Sequence, residues 1–156
     1  MVGITWAHST IQGNILVALG TRRRGKPCRP RGPEMQIEVV GGIRYPDVFV
    51  VCTPRAKNEK IITDPVVIFE IPSDGSNRRD RVTKNEEYRL TPSVQRYLML
   101  EQDESAATVF AREGERWIGT LFKGDAVLSM PEVGIEVPLA EFHEGLAFTE
   151  SQQPAA

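Results

Sequence analysis

At 156 residues, 40% hydrophobic and 26% charged, the chain has the size of one domain and the composition of a globular, soluble protein rather than a disordered one. A net charge of −2 argues against a strong non-specific DNA binder, and no apolar run approaches the roughly 18–20 residues that cross a bilayer, so no membrane partner is expected. Two cysteines, Cys28 and Cys52, are too few for a disulfide scaffold or a cysteine-based zinc site; they predict two reduced thiols in a cytoplasmic protein, and MVGITWAHST at the start predicts no secretory leader.

In chain order, 7-AHSTIQGNILVALGTRRR-24 has Ile11, Ile15, Ala18 and Leu19 at helical spacing, and Gly25, Pro27 and Pro30 stop the helix. The block 22-RRRGKPCRPR-31 follows. Residues 1–31 hold six Lys/Arg and no acid, whereas residues 101–156 hold three against eleven acids. Arg22, Arg23, Arg24 and Lys26 are therefore candidates for phosphate contacts. The plainer reading is a solvated loop whose cations complement the helix C-terminal dipole. Residues 34–40 alternate as a half-buried strand does, and Gly41-Gly42 makes a turn. The runs 47-DVFVVCT-53 and 65-PVVIFEI-71 are short, β-rich and uniformly apolar, so they predict central strands joined by a polar connector.

Residues 72–78, with Gly75, predict a loop. Residues 79-RDRVTKNEEYRL-90 predict a helix closed by Pro92. Strands are expected at 94–102, 106–112 and 115–122, with a turn at Gly114. After a second turn at Gly124-Asp125 come a short strand near Val127–Leu128, another at 133–139, and a surface helix at 139–146 that carries His143 between acids. The last residues, 149–156, predict a disordered tail after a single domain at 1–148. The order is α/β with a mixed central β-sheet flanked by helices, and the strands on either side of the 79–90 helix are candidates for a parallel pair.

Three features carry possible chemistry. Asp47 heads one apolar strand, Glu70 closes the next, and Asp80 and Lys84 are four apart on one face of the following helix. If the two strands are neighbours, Asp47 and Glu70 meet at one rim of the sheet. Two carboxylates with phosphate and water suit Mg²⁺, and a nearby lysine would stabilise charge on a phosphate. Each feature also has a duller reading. Pro46-Asp47 can be a turn, Glu70 can face a solvated side, and Asp80 with Lys84 can be an exposed ion pair. Trp6 and Trp117 can stack on bases, but packing is the default expectation.

The runs 45-YPDVFVVC-52, 65-PVVIFEI-71, 80-DRVTK-84 with Tyr88, and 92-PSVQRYLMLEQD-103 resemble the Uma-type restriction endonuclease family of the PD-(D/E)xK nuclease superfamily. The flanking 7-AHSTIQGNI-15 and 135-IEVPLAEFHEGL-146 are similar to it as well. The resemblance implies a restriction-endonuclease-like fold and a Mg²⁺ (or Mn²⁺) site for hydrolysis of DNA. It makes Asp47 and Glu70 the acids and the carbonyl of Ile71 a third metal ligand. The pattern's lysine would stand at position 72, which is Pro72, so Lys84 is its stand-in, with Asp80 orienting it or contacting the metal's water shell. His8 falls at the family's helix histidine, facing the site or only packing, and Ser73 is the retained residue of the loop after the Glu strand. Arg78, Arg79 and Arg81 would lie near the nucleic-acid backbone. A homodimer through the strands after residue 94 is a candidate assembly. A non-catalytic nucleic-acid-binding relative of the same fold, and a partner-binding domain with no nucleic acid, are the competing readings.

Overall fold

The computed structural model describes residues 3–73 and 77–148. Gly75 of the predicted loop and the predicted tail at 149–156 lie outside them.

A long first helix, α1 (Trp6–Arg22), starts at Thr5, whose side chain accepts a hydrogen bond from the backbone N–H of His8. The N-cap satisfies one of the orphan donors of the first turn and fixes where His8 points. The predicted apolar positions Ile11, Ile15, Ala18 and Leu19 are the buried ones. There follow β1 (Arg29–Arg31), β2 (Gln36–Val39), β3 (Gly42–Arg44), β4 (Val48–Val51), β5 (Ile61–Ile62) and β6 (Val67–Glu70). Then come α2 (Arg78–Leu90), β7 (Arg96–Leu100), β8 (Ala106–Glu113), β9 (Arg116–Lys123), β10 (Val127–Met130), β11 (Ile135–Pro138) and the short α3 (Leu139–Phe142).

The main sheet runs β1-β4-β6-β7-β8-β9. β4 and β6 are antiparallel neighbours, with Val48 opposite Phe69. β6 and β7 are parallel across α2, which is the mixed arrangement expected from the element order. A small sheet, β3-β2-β5, and the β10-β11 hairpin stand apart from it.

Alternation along the central strands divides the core. Val48, Val50, Val67, Phe69, Leu98 and Leu100 pack on the side of α1, α3 and the β10-β11 hairpin. Phe49, Val51, Ile68 and Tyr97 pack on the other side against Tyr88 of α2 and Ile37, Val39 and Ile62 of the small sheet. Both faces of β4 and β6 are therefore covered, which is why these runs read as continuously apolar.

Four expectations need correction. Cys28 and Cys52 are not free thiols but form a disulfide, because the pairing of β1 with β4 puts Arg29 opposite Val51 and so brings the two flanking cysteines together. The strands β1, β3 and β5, of three, three and two residues, were not expected, since each is too short to show a period. The closing helix is one turn, Leu139–Phe142, rather than the whole of 139–146. His143 is 3% exposed rather than on the surface, with Nε2 2.7 Å from the carbonyl oxygen of Glu101.

Candidate active site

The β4–β6 register sets the site. One step beyond the Val48–Phe69 pair, the next facing residues are Asp47 and Glu70, at the head of one strand and the tail of the other. Glu70 alternates with the core-facing Phe69 and takes its partners from α2, whereas Asp47, at the strand head, meets α1.

Asp47 is held at three points. Its Oδ1 lies 3.0 Å from His8 Nε2. Its Oδ2 accepts a hydrogen bond from the backbone N–H of Ile71 at 2.8 Å. Its carbonyl accepts one from Gln12 Nε2 at 2.8 Å. His8 and Gln12 are four apart and share a face of α1, so one helix face grips both ends of the aspartate. The Ile71 contact ties the aspartate to the residue after Glu70. The hydrogen bond to Asp47 holds the His8 imidazole above its usual range, and partial burial opposes it.

Glu70 is 12% exposed at its side chain. Its Oε1 accepts a hydrogen bond from Tyr88 Oη at 2.9 Å and lies 3.9 Å from Lys84 Nζ. Burial pushes the Glu70 carboxyl up to about 7; Lys84 opposes the rise, the Asp47 carboxylate adds to it, and the Tyr88 hydrogen bond opposes it. Burial also raises the Tyr88 phenol, with the Glu70 charge adding to the effect. Lys84 Nζ is 3.4 Å from Asp80 Oδ2, so the lysine spans the gap between the two acids.

His8, Asp47, Glu70, Asp80 and Lys84 line a cleft of about 400 Å³, together with Thr5, Tyr45, Ile71, Ser73, Arg81 and Gln102. The structure thus brings together His8, Asp47, Glu70, Ile71, Ser73, Asp80, Arg81 and Lys84. Arg78 and Arg79 are exposed on the first turn of α2. Arg22, Arg23, Arg24 and Lys26 are elsewhere, at the far end of α1, about 20 Å from His8 at 1.5 Å per residue. Arg22 makes a two-pronged pair with Glu141, at 2.6 and 2.8 Å, and Arg23 Nε donates to the carbonyl of Cys28.

Two residues had no sequence-level signal of their own. Gln12 reads as an ordinary polar helix position. Gln102 accepts from Thr5 Oγ1 at 2.5 Å and donates to the carbonyl of Pro72 at 3.0 Å, joining the start of α1 to the segment after Glu70. Trp117 packs as expected, donating to Asn85 and lying under Arg112. Trp6, by contrast, is 81% exposed.

Among the described residues, no three His, Cys, Asp or Glu side chains converge as a metal cage. The donor set is instead two carboxylates and a strand-end backbone, hard oxygen donors of the kind Mg²⁺ accepts alongside water. Burial disfavours the charged form of Glu70, and a cation beside it would favour that form. The residues fit the ion.

The family model described as "Uma2: Putative restriction endonuclease" matches residues 1–140. The chain belongs to this family. An uncharacterized protein of Synechocystis sp. (strain ATCC 27184 / PCC 6803 / Kazusa), slr1290, is 25% identical over 145 residues, covering 90% of this chain and 76% of the relative. In fold, this Uma2 chain is similar to a crystal structure described as a putative nuclease belonging to DUF820 from Anabaena variabilis. The TM-score is 0.74 at 19% identity, over 91% of this chain and 83% of that one. No helix among the described residues of the Uma2 chain is long and apolar enough to cross a membrane.

Proposed function

We propose that the protein is a metal-dependent endonuclease that hydrolyses phosphodiester bonds of DNA with Mg²⁺ or Mn²⁺. The observation that carries this reading is the meeting of Asp47 and Glu70 at one strand rim with Lys84 Nζ 3.9 Å from Glu70. Membership in the Uma2 family supports it. Asp47 and Glu70, with the carbonyl of Ile71, would hold the ion. When bound there, a divalent cation supplies Lewis acidity toward a phosphate oxygen and a water of lowered pKa.

The other residues position and neutralise. Lys84 offsets negative charge on the scissile phosphate, and Asp80 steers its ammonium. His8 keeps the Asp47 carboxylate in one rotamer, Gln12 holds its backbone carbonyl, and Tyr88 steadies the Glu70 carboxylate. Ser73 offers a hydroxyl at the cleft mouth. Arg78, Arg79 and Arg81 meet the nucleic-acid backbone at the α2 N-terminus, where the helix dipole also favours phosphate.

The test is nicking of supercoiled DNA by purified protein with Mg²⁺ or Mn²⁺. Asp47→Ala and Glu70→Ala should each reduce nicking at least a hundredfold while leaving the circular dichroism spectrum unchanged. Alanine variants that nick like the wild type would show the assignment to be wrong. Salt-dependent DNA binding by a wild type that never cleaves would select the non-catalytic relative instead.

A further inference from the structure

A second concave site lies at the other end of β4. The cavity holds about 410 Å³ and is walled by Arg29, Arg31, Met35, Val51, Lys57 and Ile62. From Asp47 to Val51 or Thr53 is four to six extended residues, roughly 13–20 Å, so this cavity is separate from the candidate active site. Its charge is one-sided. Arg55 pairs with Glu59 and Asp64, and Glu59 also accepts from the backbone of Ala56, so those charges are matched internally. Arg29, Arg31 and Lys57 have no carboxylate within ion-pair distance among the described residues. Among the described residues, the Arg31 side chain donates only to the carbonyl of Pro30, and Arg29 Nε is buried with no hydrogen-bond partner.

A buried guanidinium N–H without an acceptor is costly, and such a group in a native fold calls for an explanation. A small apolar floor under three unmatched cations, one of them aimed inward from an edge strand, is the chemistry of an oxyanion site. Arginine forks match phosphate in particular. The β1–β4 pairing and the Cys28–Cys52 disulfide fix the strand that carries Arg29 and Arg31, and Lys57 lines the same cavity from the segment after β4.

We propose that this cavity binds a phosphate group through Arg29, Arg31 and Lys57. The inference does not rest on the nuclease reading, because it requires neither a metal nor cleavage. The phosphate belongs either to a small phosphorylated molecule or to a nucleic-acid backbone that reaches past the cleft.

The experiment uses the full chain in metal-free buffer, with inorganic phosphate and then a short DNA duplex as probes. Phosphate is titrated while the Arg29 Nε–H resonance is followed by ¹⁵N-correlated NMR, the peak being assigned by its loss in Arg29→Gln. We expect a saturable shift of that peak. Arg31→Glu and Lys57→Glu, both on exposed side chains, should each weaken phosphate binding at least tenfold. Lys60→Glu, an exposed lysine outside the cavity, should leave it unchanged. If phosphate competes with the duplex, and the two charge reversals weaken the duplex as well, the phosphate is a backbone phosphate. If they weaken inorganic phosphate alone, it belongs to a small molecule. No saturable shift, or equal losses from Lys60→Glu and Lys57→Glu, would overturn the proposal. Cleavage by a protein that fails this test would leave the nuclease reading intact.

Discussion

Glu70 has a cost that can be measured without any substrate. Its folded carboxyl sits near 7 against an ordinary 4.5, because burial disfavours the charged form. The folded state therefore holds the proton more tightly than the unfolded chain. Stability from this group is complete below about pH 4.5 and is lost as pH rises through 7, a change of on the order of 3 kcal/mol. His8 acts in the same direction: its raised value makes the protonated form more stable in the fold, and that contribution is lost as pH climbs past its folded value. Metal-free protein should thus melt at lower temperature at pH 8 than at pH 5.5, and Glu70→Gln should flatten the dependence; a wild-type curve as flat as the variant's would refute this. Tyr88→Phe makes a finer test. Its hydroxyl pulls Glu70 downward, so removing it should move the acid limb of any pH–rate profile to higher pH, with little change in the plateau. Glu70 stood out in the sequence because an acid inside 65-PVVIFEI-71 needs a partner if it is buried. Gln12, Gln102 and the hydroxyl of Tyr88 were not, since their roles depend on elements far apart in the chain.

At the level of elements, the start of α1 couples stability to the site. Thr5 caps the helix through the His8 N–H at 3.0 Å and reaches Gln102 through the same oxygen. Thr5→Ala should cost about 1 kcal/mol of stability. It should also lower nicking severalfold by loosening the histidine that holds Asp47, and Thr5→Ser should restore both. Melting curves and initial nicking rates decide it: a variant that loses stability but keeps full activity would show that the cap does not reach the site. The turn between β2 and β3 is constrained differently. Gly41 has φ of +104°, and a Cβ there would run into the Glu87 carboxylate. Gly41→Ala should therefore destabilise the protein by about 1–3 kcal/mol, read by denaturant titration, and disturb the Arg44–Glu87 pair behind α2. The long elements were readable because they are periodic or uniformly apolar over several residues, as in α1, β4, β6 and β8. The Arg-Pro-Arg of β1 was not, because its strand character comes from pairing with β4 rather than from its own side chains. The same pairing created the disulfide that the cysteine count had argued against.

For the molecule as a whole, the sequence shows a basic first third and an acidic last third, and the fold joins them. Arg22 at the end of α1 is gripped by Glu141 of α3, so part of the block at 22–31 is neutralised within the protein. The cations that face the cleft instead come from α2, which begins at Arg78. This redistribution makes a salt-dependence experiment informative. Each phosphate contact releases counterions and contributes about 0.9 to the slope of log K against log salt. In metal-free binding to a duplex, Arg78→Gln and Arg79→Gln should each reduce the slope by nearly one. Arg22→Gln should leave the slope unchanged and instead lower the melting temperature slightly, since a half-exposed ion pair of this kind contributes up to about 1 kcal/mol. The converse result, a slope lost at Arg22 and kept at Arg79, would mean that DNA lies across the far end of α1. The main phosphate contacts would then lie about 20 Å along the helix from the rim where Asp47 and Glu70 meet, and the assignment of α2 as the DNA-facing helix would fail.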